Sequence, residues 1–335
     1  MTTTSLRRGT AITLALSPVA RYVLRRLLLG VAMLFVVSVV VFFFTQALPG
    51  DVARQVLGQT ATDDQVARLR EQLGLDRGVV AQYLDWIGGL VTFDLGTSLT
   101  SGTPVADLVG TRVANSATIV VLTAVILIPL AVALGVAAAR SPGGVVDGVV
   151  SGSVLLILAL PEFIIAILVV VLLATNVWRL FAPTSILDPA VPAWEQPDLL
   201  VLPVLALVIG SLPYFTESIR TTMTDELTSE HVTWARLCGV AERRILWRHA
   251  LPNAVGPGLQ VAGTTLIYLT GGIVAVENVF AFPGVGSALT AAVANRDIPV
   301  VQAIAMLLAT VALVVYLVAD VLGILLTPRL RTALT

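Results

Sequence analysis

The chain has 335 residues, 57% hydrophobic and 12% charged, with a mean hydropathy of +0.94; the charge fraction is roughly half that of a soluble globular domain, which disfavours a soluble enzyme. All 20 basic residues are arginine, so a phosphate-loop lysine and a lysine Schiff base are both excluded. Cys238 alone can form no internal disulfide, two histidines and that thiol show no zinc-site spacing, and a net charge of −1 gives no electrostatic case for nucleic acid.

A bilayer core about 30 Å thick needs about 20 apolar helical residues, and six such runs occur. They cover about Leu27 to Leu48, Ser116 to Ala139, Val149 to Val177, Leu199 to Thr216, Leu259 to Phe282 and Val300 to Thr327. The third contains Pro161 and Glu162 near its middle, the fifth Glu277 and the sixth Asp320. The expected class is therefore all-α, a polytopic membrane protein with six transmembrane helices. Residues 1–26 form an N-terminal segment, and residues 27–335 a single transmembrane domain.

Arg7, Arg8, Arg21, Arg25 and Arg26 precede the first run without an acidic residue among them, which places that end in the cytoplasm. Six spans then put the C-terminus, with Arg329 and Arg331, on the same side. The first apolar run is too long for the core of a signal peptide, and no small-x-small cleavage site precedes Pro49.

The external segment, residues 49–112, has helical periodicity over Asp63 to Leu73, with Val66, Leu69 and Leu73 on one face. Its glycines predict several short helices joined by turns, a cap to which Tyr83, Trp86 and Phe93 add apolar weight. The internal segment, residues 224–258, reads differently. Thr228 or Ser229 can cap a short helix from about Glu230, and Gly239 sits where a left-handed residue would stop it. A basic helix then fits Ala241 to Ala250, closed by Leu251, Pro252 and Asn253.

At this segment the chain resembles the inner-membrane permease subunits of binding-protein-dependent ABC importers. Ala235, Gly239, Leu251 and Pro252 fall at the spacing of their loop signature, although Thr233, Trp234 and His249 depart from it. The run Arg244 to Asn253 is similar to the oligopeptide, dipeptide and nickel branch. So are Pro49, Gly50 and Asp51; Gln72 to Asp76; Asp94, Leu95, Gly96 and Ser98; Phe280 to Gly286; and Arg296 and Asp297. The match is in order and leaves out only about the first 20 residues.

The resemblance implies a type I ABC importer permease fold in the bacterial inner membrane, with both termini cytoplasmic. It implies uptake of peptides and no enzyme activity in this chain. ATP and Mg would be bound by two partner ATPase subunits. A second, homologous permease subunit would complete the pathway, and an extracytoplasmic solute-binding protein would deliver the cargo. Coupling would run through Ala235 and Gly239, with Leu251 and Pro252 holding the following turn; Glu230, His231 and Trp234 complete the expected ATPase-facing surface. No cofactor is expected in the chain, and its remaining partner is membrane lipid.

Glu162, counted along a continuous third span, lies about 20 Å deep at 1.5 Å per residue. There it either lines the pathway or packs as a structural acid beside Pro161. Glu217 is expected to pair with an arginine at the inner interface, and Glu277 and Asp320 to be structural. Two other functions compete. One is an ion-coupled secondary transporter using Glu162, against which the lack of internal repeats counts; the other is an ABC permease for nickel or another small solute.

Overall fold

A computed structural model describes residues 18–47, 52–58, 60–72, 74, 76–175, 177–252, 254 and 271–326. Among these residues the chain is helical, with a single isolated bridge between Thr97 and Pro104 and no strand. Helix α1, Pro18–Gln46, starts earlier than the first apolar run because nothing breaks the helix between Pro18 and Leu27. Three short helices follow outside the long ones: α2, Val52–Leu57, α3, Asp63–Gln72, and α4, Val79–Thr92.

Short helices joined by turns are what the glycines of this segment predict. Tyr83 and Trp86 of α4 pack on Phe42 of α1, with ring centroids 5.3 and 5.7 Å away, and the Tyr83 hydroxyl meets Ser38 Oγ at 2.9 Å. Val66 is buried as its helical face predicts, but Leu73 lies outside the described residues. Phe93 does not join the cap. It ends α4 in the left-handed conformation (φ 60°) and is 86% exposed.

Helix α5, Val105–Ala139, begins eleven residues before the apolar run it contains. At 1.5 Å per residue it is about 52 Å long and extends well beyond a 30 Å core. It packs most extensively on α8, Pro197–Leu227, the fourth apolar run.

The third run is not one continuous helix. It divides into α6, Val145–Leu158, and α7, Glu162–Val170, which continues as a wider π turn to Thr175; the two halves are bent by 99°. Pro161 causes the break: it adopts extended backbone at φ −59° and ψ 144°, offers no N–H to the helix, and disfavours helical geometry at Leu160.

The internal segment contains α9, Glu230–Leu237, and α10, Glu242–Arg244, which runs on as a π turn over Ile245–Ala250. The basic helix does not stop at the proline. Leu251, Pro252 and Ala254 are still helical, because the wide turn before Pro252 moves aside the carbonyls its ring would strike. Asn253 and the first part of the fifth run lie outside the described residues.

Helix α11, residues 271–279, is the described end of that run, followed by a tight turn, α12, Val285–Ala294, and α13, Ile298–Leu326. By length and apolarity α1, α5, α8 and α13 can each cross a membrane, and α6 with α7 makes a bent fifth candidate. The main core joins α5, α7, α8 and α11 through Ile119, Leu127, Val169, Leu207 and Val276.

Candidate functional site

Helix α9 has two different faces. Val232 is fully buried and Ala235 packs beside it on Met223 and Leu227 of α8, Val136 of α5, and Ile245 and Leu246. Residues 230, 234 and 237 recur at helical spacing on the other side, where Trp234 is 67% and Leu237 74% exposed. Leu251 also joins the inner cluster, whereas Pro252 is exposed.

The start of α9 is held by its neighbours rather than by a capping side chain. Ser229 occupies the cap position, but its hydroxyl donates to the Glu226 carbonyl at 2.6 Å and contacts His231 Nδ1 at 3.1 Å. His231 Nε2 lies 3.0 Å from Glu226 Oε1. At the other end Gly239 has φ +77°; its N–H donates to the Arg236 carbonyl and the Val240 N–H to the Ala235 carbonyl. This pair of bonds is a Schellman stop, and the left-handed residue it needs is the glycine expected there. Arg236 ties the turn down by donating to Glu242 Oε1 at 2.7 Å and to the Leu227 carbonyl at 3.0 Å.

Glu162 sits at the elbow, in the first turn of α7. Its carboxylate fills the space a β-carbon at Gly272 of α11 would take, and its Cγ lies 3.7 Å from where one at Gly210 of α8 would be. Glycine on both neighbouring helices makes room for this acid. Among the described residues no hydrogen-bond donor or arginine meets it.

Two further acids tie helix ends together. Glu277 is fully buried and accepts hydrogen bonds from Ser116 Oγ at 2.5 Å, Gly286 N at 2.7 Å and Ser287 N at 3.0 Å. It thereby fastens α11 to α5 and to the first turn of α12, where an acid suits unpaired N–H groups. Asp297 accepts from Ser98 Oγ at 2.5 Å, Leu99 N at 3.1 Å, Thr100 N at 3.4 Å and the Thr100 hydroxyl. Burial pushes its carboxyl up, but these donors outweigh burial and hold it below the ordinary aspartate range.

The structural expectation for Glu277 agrees with this geometry. The clasp on Asp297 had no sequence signal, since its partners lie nearly 200 residues away. Glu217 does pair with an arginine, Arg220 at 3.1 Å, and Arg220 also reaches Asp147 of α6 at 3.5 Å. Asp320 pairs with Arg26 of α1 at 2.9 Å. Among the described residues no group of three or more metal-ligating side chains comes together.

Residues 131–332 match the binding-protein-dependent transport system inner membrane components, and residues 19–135 match the N-terminal part of such components. The chain belongs to this family. The architecture is accordingly the type I ABC importer permease fold, and the protein is a multi-pass inner-membrane transport component. A probable peptide ABC transporter permease of Sinorhizobium fredii is 30% identical over 92% of this chain and 99% of its own length. The oligopeptide transport system permease AppB of Bacillus subtilis is 28% identical, and the dipeptide transport system permease DppB of Lactococcus lactis 29%. Each of these two alignments covers 93% of this permease and 99% of the relative.

Proposed function

We propose that this permease is one subunit of an ATP-driven importer of peptides and that α9 is its docking element for an ATPase subunit. The observation that carries the reading is the division of α9: one face is locked into the bundle by Val232 and Ala235, and the other holds Trp234 and Leu237 out to solvent. Trp234 and Leu237 stand together on that face as an apolar pair offered to a partner surface. The Schellman stop at Gly239 fixes the angle at which this surface is presented. The names of the relatives supply the cargo class, as all three describe peptide, oligopeptide or dipeptide permeases.

In this reading ATP and Mg bind in two partner ATPases, and this chain supplies half of the pathway, a homologous permease the other half. A solute-binding protein docks on the side of the α2–α4 cap. Both termini of this chain face the cytoplasm. Force applied at α9 passes through the cluster of Val136, Met223 and Ile245 to the inner ends of α5 and α8, the most extensively packed helix pair. The coupling residues are Glu230, His231, Trp234, Ala235, Gly239, Leu251 and Pro252, and Glu162 faces the route of the cargo.

The test is uptake of a labelled peptide by proteoliposomes that contain the chain, a second permease subunit, two ATPase subunits and a solute-binding protein. ATP-dependent, vanadate-sensitive uptake that fails when Trp234 and Leu237 are both changed to serine is the expected result. Uptake by the isolated chain driven by a proton gradient would overturn the reading in favour of a secondary transporter, and competition by nickel but not peptide would overturn the cargo class.

A further inference from the structure

Helices α5 and α8 run in the same direction, since the C-terminal end of each joins the buried cluster beneath α9 through Val136 and Met223. They approach closely at Gly135, where a β-carbon would lie 3.0 Å from the Thr216 carbonyl oxygen and nearer still to the Ile219 side chain. Six residues back from this contact along each helix, about 9 Å at 1.5 Å per residue, stand Pro129 on α5 and Gly210 on α8. Pro213 is within one turn of Gly210.

The elbow falls at the same height. Glu162, directly after Pro161, has its Cγ 3.7 Å from where a β-carbon at Gly210 would be, and its carboxylate takes the place of one at Gly272 of α11. One layer of the bundle therefore holds an interior proline of α5, the break between α6 and α7, a glycine and a proline of α8, and a glycine of α11. Each interior proline withholds an N–H from the carbonyl four residues earlier and pushes that carbonyl aside, and sharp kinks gather at such places. Helices α1 and α13 are built otherwise. Proline is only the first residue of one and the second of the other, where no helical bond is lost.

The layer divides two bodies, each held by its own contacts. On one side the main core ends at Ala131 of α5 and Phe215 of α8, and Glu277 fastens α11 to α5 and α12. On the other, Val136, Met223, Val232 and Ile245 join α5, α8, α9 and the π turn. Helix α6 goes with this second body, because Asp147 meets Arg220 of α8 at 3.5 Å, whereas Val169 of α7 belongs to the main core. The elbow at Pro161 thus parts a helix of one body from a helix of the other. Arg26 and Asp320, 2.9 Å apart, lock α1 to α13 as a frame without a break.

We infer that this layer is a hinge: α5, the elbow and α8 bend there together, and α6, α9 and the cluster that joins them swing as one body against the main core and the α1–α13 frame. The ten residues from Pro129 to Ala139 span about 15 Å, so a change of about 20° in the bend carries the end of α5 through about 5 Å. Pro203 is not part of the hinge. It lies seven residues nearer the start of α8 than Gly210, and α5 has no interior proline besides Pro129 to match it. The inference rests on α9 as the docking element only for the source of the movement; the hinge itself belongs to this chain.

Double electron–electron resonance between spin labels on the full chain in lipid nanodiscs tests it without any ATPase, so a failure leaves the proposed import function standing. One label pair joins native Cys238, exposed at the end of α9, to a cysteine at Arg25 of α1. The other, in a Cys238→Ser background, joins cysteines at Thr111 of α5 and Phe44 of α1, at the opposite end of the bundle. The first pair should show distances spread over about 5 Å, and the second a single narrow distance. P129A and P213A together, which give each helix the N–H it lacks, should collapse the first spread to one distance, and each alone should narrow it in part. Pro203→Ala should leave it as in the parent. A first pair already narrow in the parent, a spread that survives the double substitution, or one that Pro203→Ala abolishes as well overturns the hinge. An equal spread at both ends overturns its position.

Discussion

Substitution of Gly239 separates backbone conformation from size as the cause of its effect. The residue has φ +77°, and a β-carbon built on it meets no atom within 4 Å. A side chain there would clash with nothing, so any cost is that of holding an L-residue in the left-handed region. That cost is about 1–2 kcal/mol for alanine, less for asparagine, whose polar side chain tolerates this conformation, and more for valine. Alanine should therefore weaken the closed turn by about 5–30-fold. The reporters are the amides of residue 239 and Val240, which donate to Arg236 and Ala235. Their hydrogen exchange should accelerate in the order asparagine, alanine, valine, with membrane insertion unchanged, and ATP-dependent uptake should fall in the same order. If exchange instead follows side-chain size, with asparagine worse than alanine, or if valine behaves as glycine, the conformational argument is wrong.

Glu277→Ala should orphan two backbone N–H groups at about 1–3 kcal/mol each and take away the acceptor of the Ser116 hydroxyl, which still accepts from Val285 N, and Glu277→Gln should lose less; an unchanged melting temperature in the alanine variant refutes the node. Asp297 titrates lower when folded, so its contribution is complete above the ordinary pKa of about 3.9 and is lost as pH falls through the lowered folded value. Asp297→Asn should accordingly melt lower than the parent at neutral pH and converge with it in strong acid; a difference that persists there contradicts the assignment. Glu162→Gln should reduce uptake of peptides with a free amino terminus more than of N-acetylated ones, and equal effects on both would make Glu162 a packing residue. A cysteine at Ala81 should react with an impermeant maleimide from outside, and native Cys238 only in inverted vesicles; the reverse pattern inverts the topology.

Much of the architecture was legible because hydrocarbon thickness constrains the length of an apolar run. The short helix from Glu230 and its stop at Gly239 were legible for a local reason, since a left-handed residue after a helix is written in the chain as glycine. The sharpness of the elbow at Pro161 was not legible: composition reports that residues 149–177 are apolar, not whether they are collinear, and the depth counted for Glu162 assumed a continuous helix. The same limit applies at Pro252, where the π turn that tolerates the proline depends on how Ile245 and Leu246 pack on α5 and α8. The serine partners of Glu277 and Asp297, Ser116 and Ser98, lay 161 and 199 residues away in the chain, and no periodicity connects such a serine to its acid.

The two acid–glycine contacts differ in how freely they can drift over evolutionary time. A methyl group at Gly272 would strike the Glu162 carboxylate, and one at Gly284 would strike that of Glu277. Glu162 can swing its carboxylate aside, because among the described residues nothing holds it. A lineage that acquired alanine at 272 would keep its fold and merely aim the acid elsewhere. Glu277 has no such freedom: moving it breaks three hydrogen bonds that join three helices. Residues 277 and 284 must therefore change together or not at all, whereas 162 and 272 can be crossed one step at a time. The elbow is the place where related permeases could diversify without first losing stability.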